Sequence, residues 1–177
     1  MFATNSGRFI SYYGREHTLD IQRQDGNNST ISTINQLFNV LLNVWCKETA
    51  YPSCQKDYDY DNAPTYGQCA ITASLVYDLF DGTIYKLKVD GGGTHYFNKI
   101  NGHYIDLTSD QFDLYDIPLE YVPNEVVPRE YCEKNADTKR RYQLLVDFVN
   151  KWTLKHKIKR QASILFLNFY CLHLISL

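Results

Sequence analysis

The dipeptide Asn101-Gly102, set between THYFNKI and HYIDL, constrains this chain more than any other feature. Asn-Gly supplies the two left-handed residues that a two-residue hairpin turn requires. Pairing then runs outward from the turn: Ile100 with His103, Lys99 with Tyr104, Asn98 with Ile105, Phe97 with Asp106, His95 with Thr108. Side chains alternate between the faces of a strand with period two. His95, Phe97 and Lys99 therefore share a face with Tyr104, Asp106 and Thr108, while His103 points to the opposite one. His95 and Asp106 are diagonal neighbours on that face, about 7–8 Å apart or less and within reach of long side chains.

The rest of the chain supplies helices for such a hairpin to pack on. Ser32 or Thr33 can cap a helix carrying Ile34, Leu37, Phe38, Leu41, Leu42 and Trp45 at helical spacing. That helix is expected to stop before Pro52, with Cys46 inside it, and 50–67 reads as a loop rich in Tyr, Asp and Pro. A second helix is predicted from near Gly67 through CAITASLVYDLF to a C-cap at Gly82. It is apolar on most faces, so it should be buried. A strand is predicted at Thr83–Val89, then a turn at 90–93, the hairpin strands Thr94–Ile100 and His103–Leu107, and an irregular stretch with Pro118, Pro123 and Pro128. A last helix, near Thr138–Lys155, has Tyr142, Leu145, Val146, Val149 and Trp152 on one face. Antiparallel strands grouped after helices, without βαβ alternation, define an α+β fold. Within 177 residues this gives one domain over 34–155. Residues 1–33, with a loop at Asp25–Thr30, read as a polar N-terminal extension, and 156–177 as a tail, basic and then apolar.

Charge and cysteine usage exclude several function classes. A net charge of -2 gives no general attraction for nucleic acid, and none is expected as a partner. Residues 139–160 hold eight Lys/Arg against one Asp, which reads as a solvated helix face. Residues 161–177 carry no charge. They read as a packed helix or strand, with a membrane-associated tail or a segment foreign to the domain as alternatives. Five cysteines, an odd count, with no CxxC pair and no Cys/His zinc spacing argue against a disulfide framework or a metal site. No cofactor is expected. MFATNSGRFISYYGRE has no apolar signal region, so a cytoplasmic protein is expected.

One cysteine stands where chemistry is favoured. Cys69, after Gly67-Gln68, falls at the start of the buried helix. A thiol in a first turn feels the helix dipole and the free N–H groups, which favour the thiolate and can hold an oxyanion. If the sheet packs on this helix, His95 can take the Cys69 proton and Asp106 can fix the imidazole tautomer. Gln68 and Gln55 are candidate oxyanion donors through their side-chain amides. Trp45 and Tyr51 are candidate core or cleft-wall aromatics. The bland alternative is a core cysteine, an exposed histidine and a turn aspartate in a binding module.

WCKETAYP (45–52), NAPTYGQCAITASLVYDLF (62–80), GGGTHYFNKINGHYIDLTSDQF (91–112) and the later TKRRYQLL resemble the YunG-like family of small bacterial proteins, over about residues 35–150. The layout is in turn similar to the papain-like superfamily, including the NlpC/P60 and transglutaminase-core proteins. That resemblance implies a papain-like core in which Cys69 opens a helix packed on a sheet carrying His95 and Asp106. It implies a cysteine-dependent hydrolase or acyltransferase acting on a peptide or another amide-containing substrate. An inert binding or regulatory module on the same scaffold is the alternative.

Overall fold

The computed structural model describes residues 2–19, 21–23, 31–90, 93–121 and 125–174, with side chains through 162 except that of residue 160. The loop expected at 25–30, the glycines of the turn at 91–92, and Pro123 lie outside these residues.

Helix α1 (Ile34–Val44) begins at a reciprocal cap. The Gln36 N–H donates to Thr33 Oγ1 and the Thr33 N–H donates to Gln36 Oε1, both at 3.2 Å. This satisfies two backbone donors that a helix start leaves orphaned. The helix ends earlier than the sequence predicts, placing Cys46 beyond it. The reason is local: Thr49 Oγ1 accepts from the Cys46 N–H at 3.0 Å and donates to the Cys46 carbonyl at 2.8 Å. Such side-chain turns compete with helical hydrogen bonds. Residues 52–57, expected as loop, form a 3-10 turn opened by Pro52.

Helix α2 (Cys69–Phe80) is buried on several faces, through Ile71, Thr72, Ala73, Ser74, Leu75, Val76 and Phe80. Beyond it lies a four-stranded antiparallel sheet in the order β5 (His103–Ile105), β4 (Thr94–Ile100), β3 (Thr83–Lys88), β6 (Glu125–Val127). The β4–β5 register is Asn98 with Ile105, Lys99 with Tyr104 and Ile100 with His103. That is the register set by Asn101-Gly102, both of which have positive φ. β5 ends two residues short of prediction because Asp106 leaves the ladder and pairs with Tyr13 instead. β6 was not foreseen; its three residues lie in the Pro-punctuated stretch and add an edge to β3.

One face of the sheet packs on α2, where Asn98 Nδ2 donates to the Ala73 carbonyl at 2.9 Å and Ile84 and Val127 meet Ala73. The other face is covered by aromatics: Phe97, Tyr85 and Tyr104 with Tyr121 and Leu119 from the long connection after helix α3 (Asp110–Asp113). The architecture is mixed α+β with small antiparallel sheets.

Helix α4 starts at Ala136 and runs to Leu174, well past the predicted end near Lys155. No Gly or Pro interrupts residues 136–174, and these are the residues that most oppose helix. Leu145 and Val149 enter the main core beside α1 and α2, with Tyr142, Val146 and Trp152 partly buried against it. Lys155, Lys157 and Lys159 are exposed. Among the described residues no helix is long and apolar enough to cross a membrane.

The segment before α1 departs most from expectation. It is not a loose polar extension: Ile10, Tyr12, Ile21 and Ile31 belong to the main core. Strands β1 (Phe2–Ala3) and β2 (Phe9–Ile10) form a small second sheet. The apolar residues here are isolated among polar ones, so no periodicity announces them. Gly14 shows how closely the segment fits, because at φ 78° a Cβ there would lie 2.1 Å from the Tyr104 carbonyl oxygen on β5. Gly14→Ala is therefore expected to destabilise the fold by about 1–3 kcal/mol in urea titration. A change under about 0.5 kcal/mol, the range of an ordinary surface substitution, would mean that the segment is not docked.

Candidate active site

The start of α2 is built to be open. Gln68, its N-cap, makes no side-chain capping bond. Gly67 just before it has φ 72°, and a Cβ there would lie 2.8 Å from Cys54 Cβ and 3.0 Å from the Tyr51 nitrogen. The Tyr51 N–H donates to the Gly67 carbonyl at 2.8 Å. Only glycine fits this close approach. The chain is thus pressed against the 51–54 turn and delivers Cys69, half-buried, at the first position of the helix.

The sheet supplies the partner. His95, near the start of β4, is 1% exposed, and Asp106, just past β5, is also 1% exposed. His95 Nε2 and Asp106 Oδ2 are 2.5 Å apart. With the carboxylate ionised, Nε2–H is the donor. The other carboxylate oxygen accepts from the Thr108 N–H and the Thr108 hydroxyl, each at 2.9 Å, and Tyr121 donates to Oδ2 at 2.9 Å. Phe112 stands edge-on to the His95 ring with centroids 4.6 Å apart.

His95 is drawn toward its charged form. Burial opposes the charge. Asp106, by charge and by hydrogen bond, and Cys69, by the same two routes, outweigh that opposition and push the imidazole from its ordinary 6.5 up to about 10. Nε2 is occupied by Asp106, and the buried Nδ1 has no aligned hydrogen bond. The structure thus brings Cys69, His95 and Asp106 together at one end of α2.

Gln111 ties this end together. Its side-chain oxygen accepts from the Gly67 N–H at 3.3 Å, and its amide donates to the Thr108 carbonyl at 2.8 Å. Thus the Asp106 loop and the approach to Cys69 are one connected piece.

The remaining candidates are more dispersed. Gln68 is buried and its amide donates to the Cys46 carbonyl at 3.0 Å; Gln55 donates to the Ala50 carbonyl at the same distance. Each has one amide hydrogen committed elsewhere. Trp45 lies in the core rather than on a cleft wall, 1% exposed, with its indole N–H donating to Thr72 Oγ1 at 3.2 Å. Tyr51 is exposed, with the buried Arg141 guanidinium 5.6 Å from its ring centroid. Cys46, Cys54 and Cys132 are free thiols. Burial pushes Cys46 and Cys132 upward, away from the thiolate. The Cys171 side chain lies outside the described residues. No group of three or more His, Cys, Asp or Glu among the described residues could hold a metal ion.

The sequence places Thr108 on the face of His95 and Asp106 but gives it no role, and nothing in it marks Tyr121. Thr108 was accessible, because an aspartate commonly accepts from the backbone two residues on. Tyr121 arrives from a connection with no periodic pattern, and nothing local marks it.

Fold and site define an α+β protein with a thiol, an imidazole and a carboxylate gathered where a buried helix meets an antiparallel sheet. The profile of the YunG protein family matches residues 33–154, and the chain belongs to that family. Uncharacterized protein YunG of Bacillus subtilis (strain 168) is 40% identical over 78 residues, a stretch covering 44% of this chain and 62% of that relative. The chain therefore matches about three fifths of the relative's length. No solved structure matches it.

The His95 pKa has a thermodynamic consequence. The folded ring holds its proton more tightly than the unfolded one, so the stabilisation is complete below about 6.5 and is lost as pH rises through about 10. The urea midpoint is expected to fall across that window, and Asp106→Asn should flatten the fall. An equal slope in the variant would show that the pair does not titrate in this way.

Proposed function

We propose that this protein is a cysteine-dependent amide hydrolase or acyltransferase on a papain-like scaffold, with Cys69 as nucleophile, His95 as acid and base, and Asp106 as the group that orients His95. One observation carries this: a buried imidazole lies between a half-buried thiol at an uncapped helix start and a carboxylate that accepts four hydrogen bonds. The order along the chain, Cys then His then Asp, agrees with the papain-like layout.

The chemistry follows from the geometry. His95 holds its proton on Nδ1 beside the Cys69 thiolate, and the thiolate attacks the substrate carbonyl carbon. A C–S bond forms and the carbonyl π pair moves to oxygen. The free N–H groups at the start of α2 face that developing charge; Gln68 and Gln55 could add only their second amide hydrogens. The C–N bond then breaks, and the leaving amine takes the proton from His95. His95 next deprotonates water, or an acceptor amine, which attacks the thioester carbon. The C–S bond breaks, the acyl product leaves, and the thiolate and the imidazolium are restored. Asp106 keeps Nε2 protonated throughout, so Nδ1 always faces the sulfur.

The test is acylation by p-nitrophenyl acetate, followed as p-nitrophenol release with mass-spectrometric mapping of the acetyl group. Acetyl is expected on Cys69 ahead of the other cysteines, and none at that position in Cys69→Ala. His95→Ala should slow acylation about a hundredfold, the usual contribution of a positioned acid–base group. Acetylation spread evenly over the thiols, or a rate indifferent to His95→Ala, would instead identify an inert module on this scaffold.

A further inference from the structure

Asp106 is held from a direction that the three-residue chemistry does not require. Tyr121 shares Oδ2 with His95, donating to it at 2.9 Å. Its ring lies edge-on to Phe97, with centroids 4.9 Å apart, so it reaches over the aromatic face of the sheet. Tyr13 stacks on Tyr121 from outside, with centroids 4.0 Å apart and planes 20° from parallel. Tyr13 is also tied through its backbone. Its N–H donates to the Asp106 carbonyl at 3.3 Å and to Ser109 Oγ at 2.9 Å, and its carbonyl accepts from the Asp106 N–H at 3.1 Å. Further back, Arg8 grips Asp110 with two hydrogen bonds of 2.8 and 2.7 Å and donates to the Asn62 carbonyl. Residues 8–13 lie outside the stretch 33–154 that matches the family.

We infer that Tyr121, clamped by Tyr13 and the segment behind it, is a positioning residue that fixes the Asp106 carboxylate and so sets how firmly His95 holds its proton. This deepens the proposed function by naming what regulates its site, and it rests on that function for its catalytic meaning alone. The hydroxyl draws charge from the oxygen that binds Nε2. Tyr13 contributes a flat surface that holds the Tyr121 ring, and its backbone bonds fix Asp106 itself. The charged and titratable groups around the pair are Cys69 from α2, Asp110 and Asp113 from α3, and Arg8 and Tyr13 from the N-terminal segment. Among the described residues, Thr108, His95 and Tyr121 are the side chains that hydrogen-bond the Asp106 carboxylate. Substitution of Tyr121 should therefore act on His95 specifically.

The experiment is an NMR titration of the His95 ring in the full chain, its signal assigned as the one lost in His95→Gln. Tyr121→Phe keeps the ring and removes the hydroxyl. With one donor fewer on Asp106, the carboxylate charge bears more fully on the imidazole, and the titration midpoint should move up by about half a pH unit or more. Tyr13→Ala should move the midpoint too, whereas Tyr13→Phe should restore the parent value because the stack survives. A Tyr121→Phe midpoint equal to the parent, in a protein of unchanged thermal midpoint, would overturn the inference and leave Tyr121 as a packing residue. Should Tyr121→Phe lower the thermal midpoint, the Tyr13→Ala and Tyr13→Phe pair decides, since equal midpoints in those two would also overturn it. The readout does not use the thiol. The hydrolase reading can thus fail, by Cys69 acylation indifferent to His95→Ala, while the positioning role stands, and the reverse holds as well.

Discussion

A carboxylate buried as deeply as Asp106 can remain only if its lone pairs are filled. Taking a charge out of water costs several kcal/mol even after relaxation, on the order of what a whole domain has to spare. Asp106 offsets that cost with four donors, each hydrogen bond to a charged group contributing about 1.5–3 kcal/mol. The donors come from different parts of the chain: β4 through His95, its own loop through Thr108, and the distant connection through Tyr121. Its backbone pairs with Tyr13 from the N-terminal segment. The need to satisfy one anion thereby draws four stretches of chain to one end of the sheet. Because the donors reach Asp106 from separate stretches, the arrangement specifies geometry more than it adds stability.

This explains which parts of the site were legible in the sequence. The hairpin was legible because its signal is local: Asn101 and Gly102 demand left-handed backbone, and parity then decides which side chains meet. Strand parity alone separated His95 from His103 and joined it to Asp106. The helix carrying Cys69 was legible because Ile71, Leu75, Val76 and Phe80 spread apolar side chains over most of its faces. The α1 cap was visible as Ser32 or Thr33 ahead of an apolar run at helical spacing. These features need only neighbours in sequence, and the α+β class follows from their order.

What stayed hidden depends on residues far apart in the chain. Tyr121 meets Asp106 across an irregular connection, and its direction is set by Phe97 and Tyr13 rather than by its own neighbours. β6 is three residues long and pairs only because β3 would otherwise present an open edge. The N-terminal segment reads as polar because its core residues, Ile10, Tyr12, Ile21 and Ile31, enter one at a time from turns and short strands. Gly14 is interpretable only once β5 lies against it. Non-local contacts of this kind leave composition and periodicity unchanged, so no window of sequence contains them.

Helices α1 and α2 show how differently one chain can treat its helix starts. α1 opens with a reciprocal cap that satisfies its first donors, the arrangement that favours stability by about 1 kcal/mol. α2, more deeply buried, opens with none. Around that opening the local rules are broken repeatedly. Gly67 adopts a left-handed conformation with no room for a side chain, Nδ1 of His95 is buried without an aligned partner, and Gln68 Oε1 and Thr65 Oγ1 are buried with no hydrogen bond. A protein indifferent to this spot has inexpensive remedies, such as a serine or aspartate at the cap position. Departures from local consistency gather where something other than folding is being optimised. Here several of them lie around the start of α2. Packing alone gives no reason to treat the start of α2 differently from that of α1; under the proposed catalytic role, the uncapped start and the unpartnered Nδ1 are what a substrate would meet.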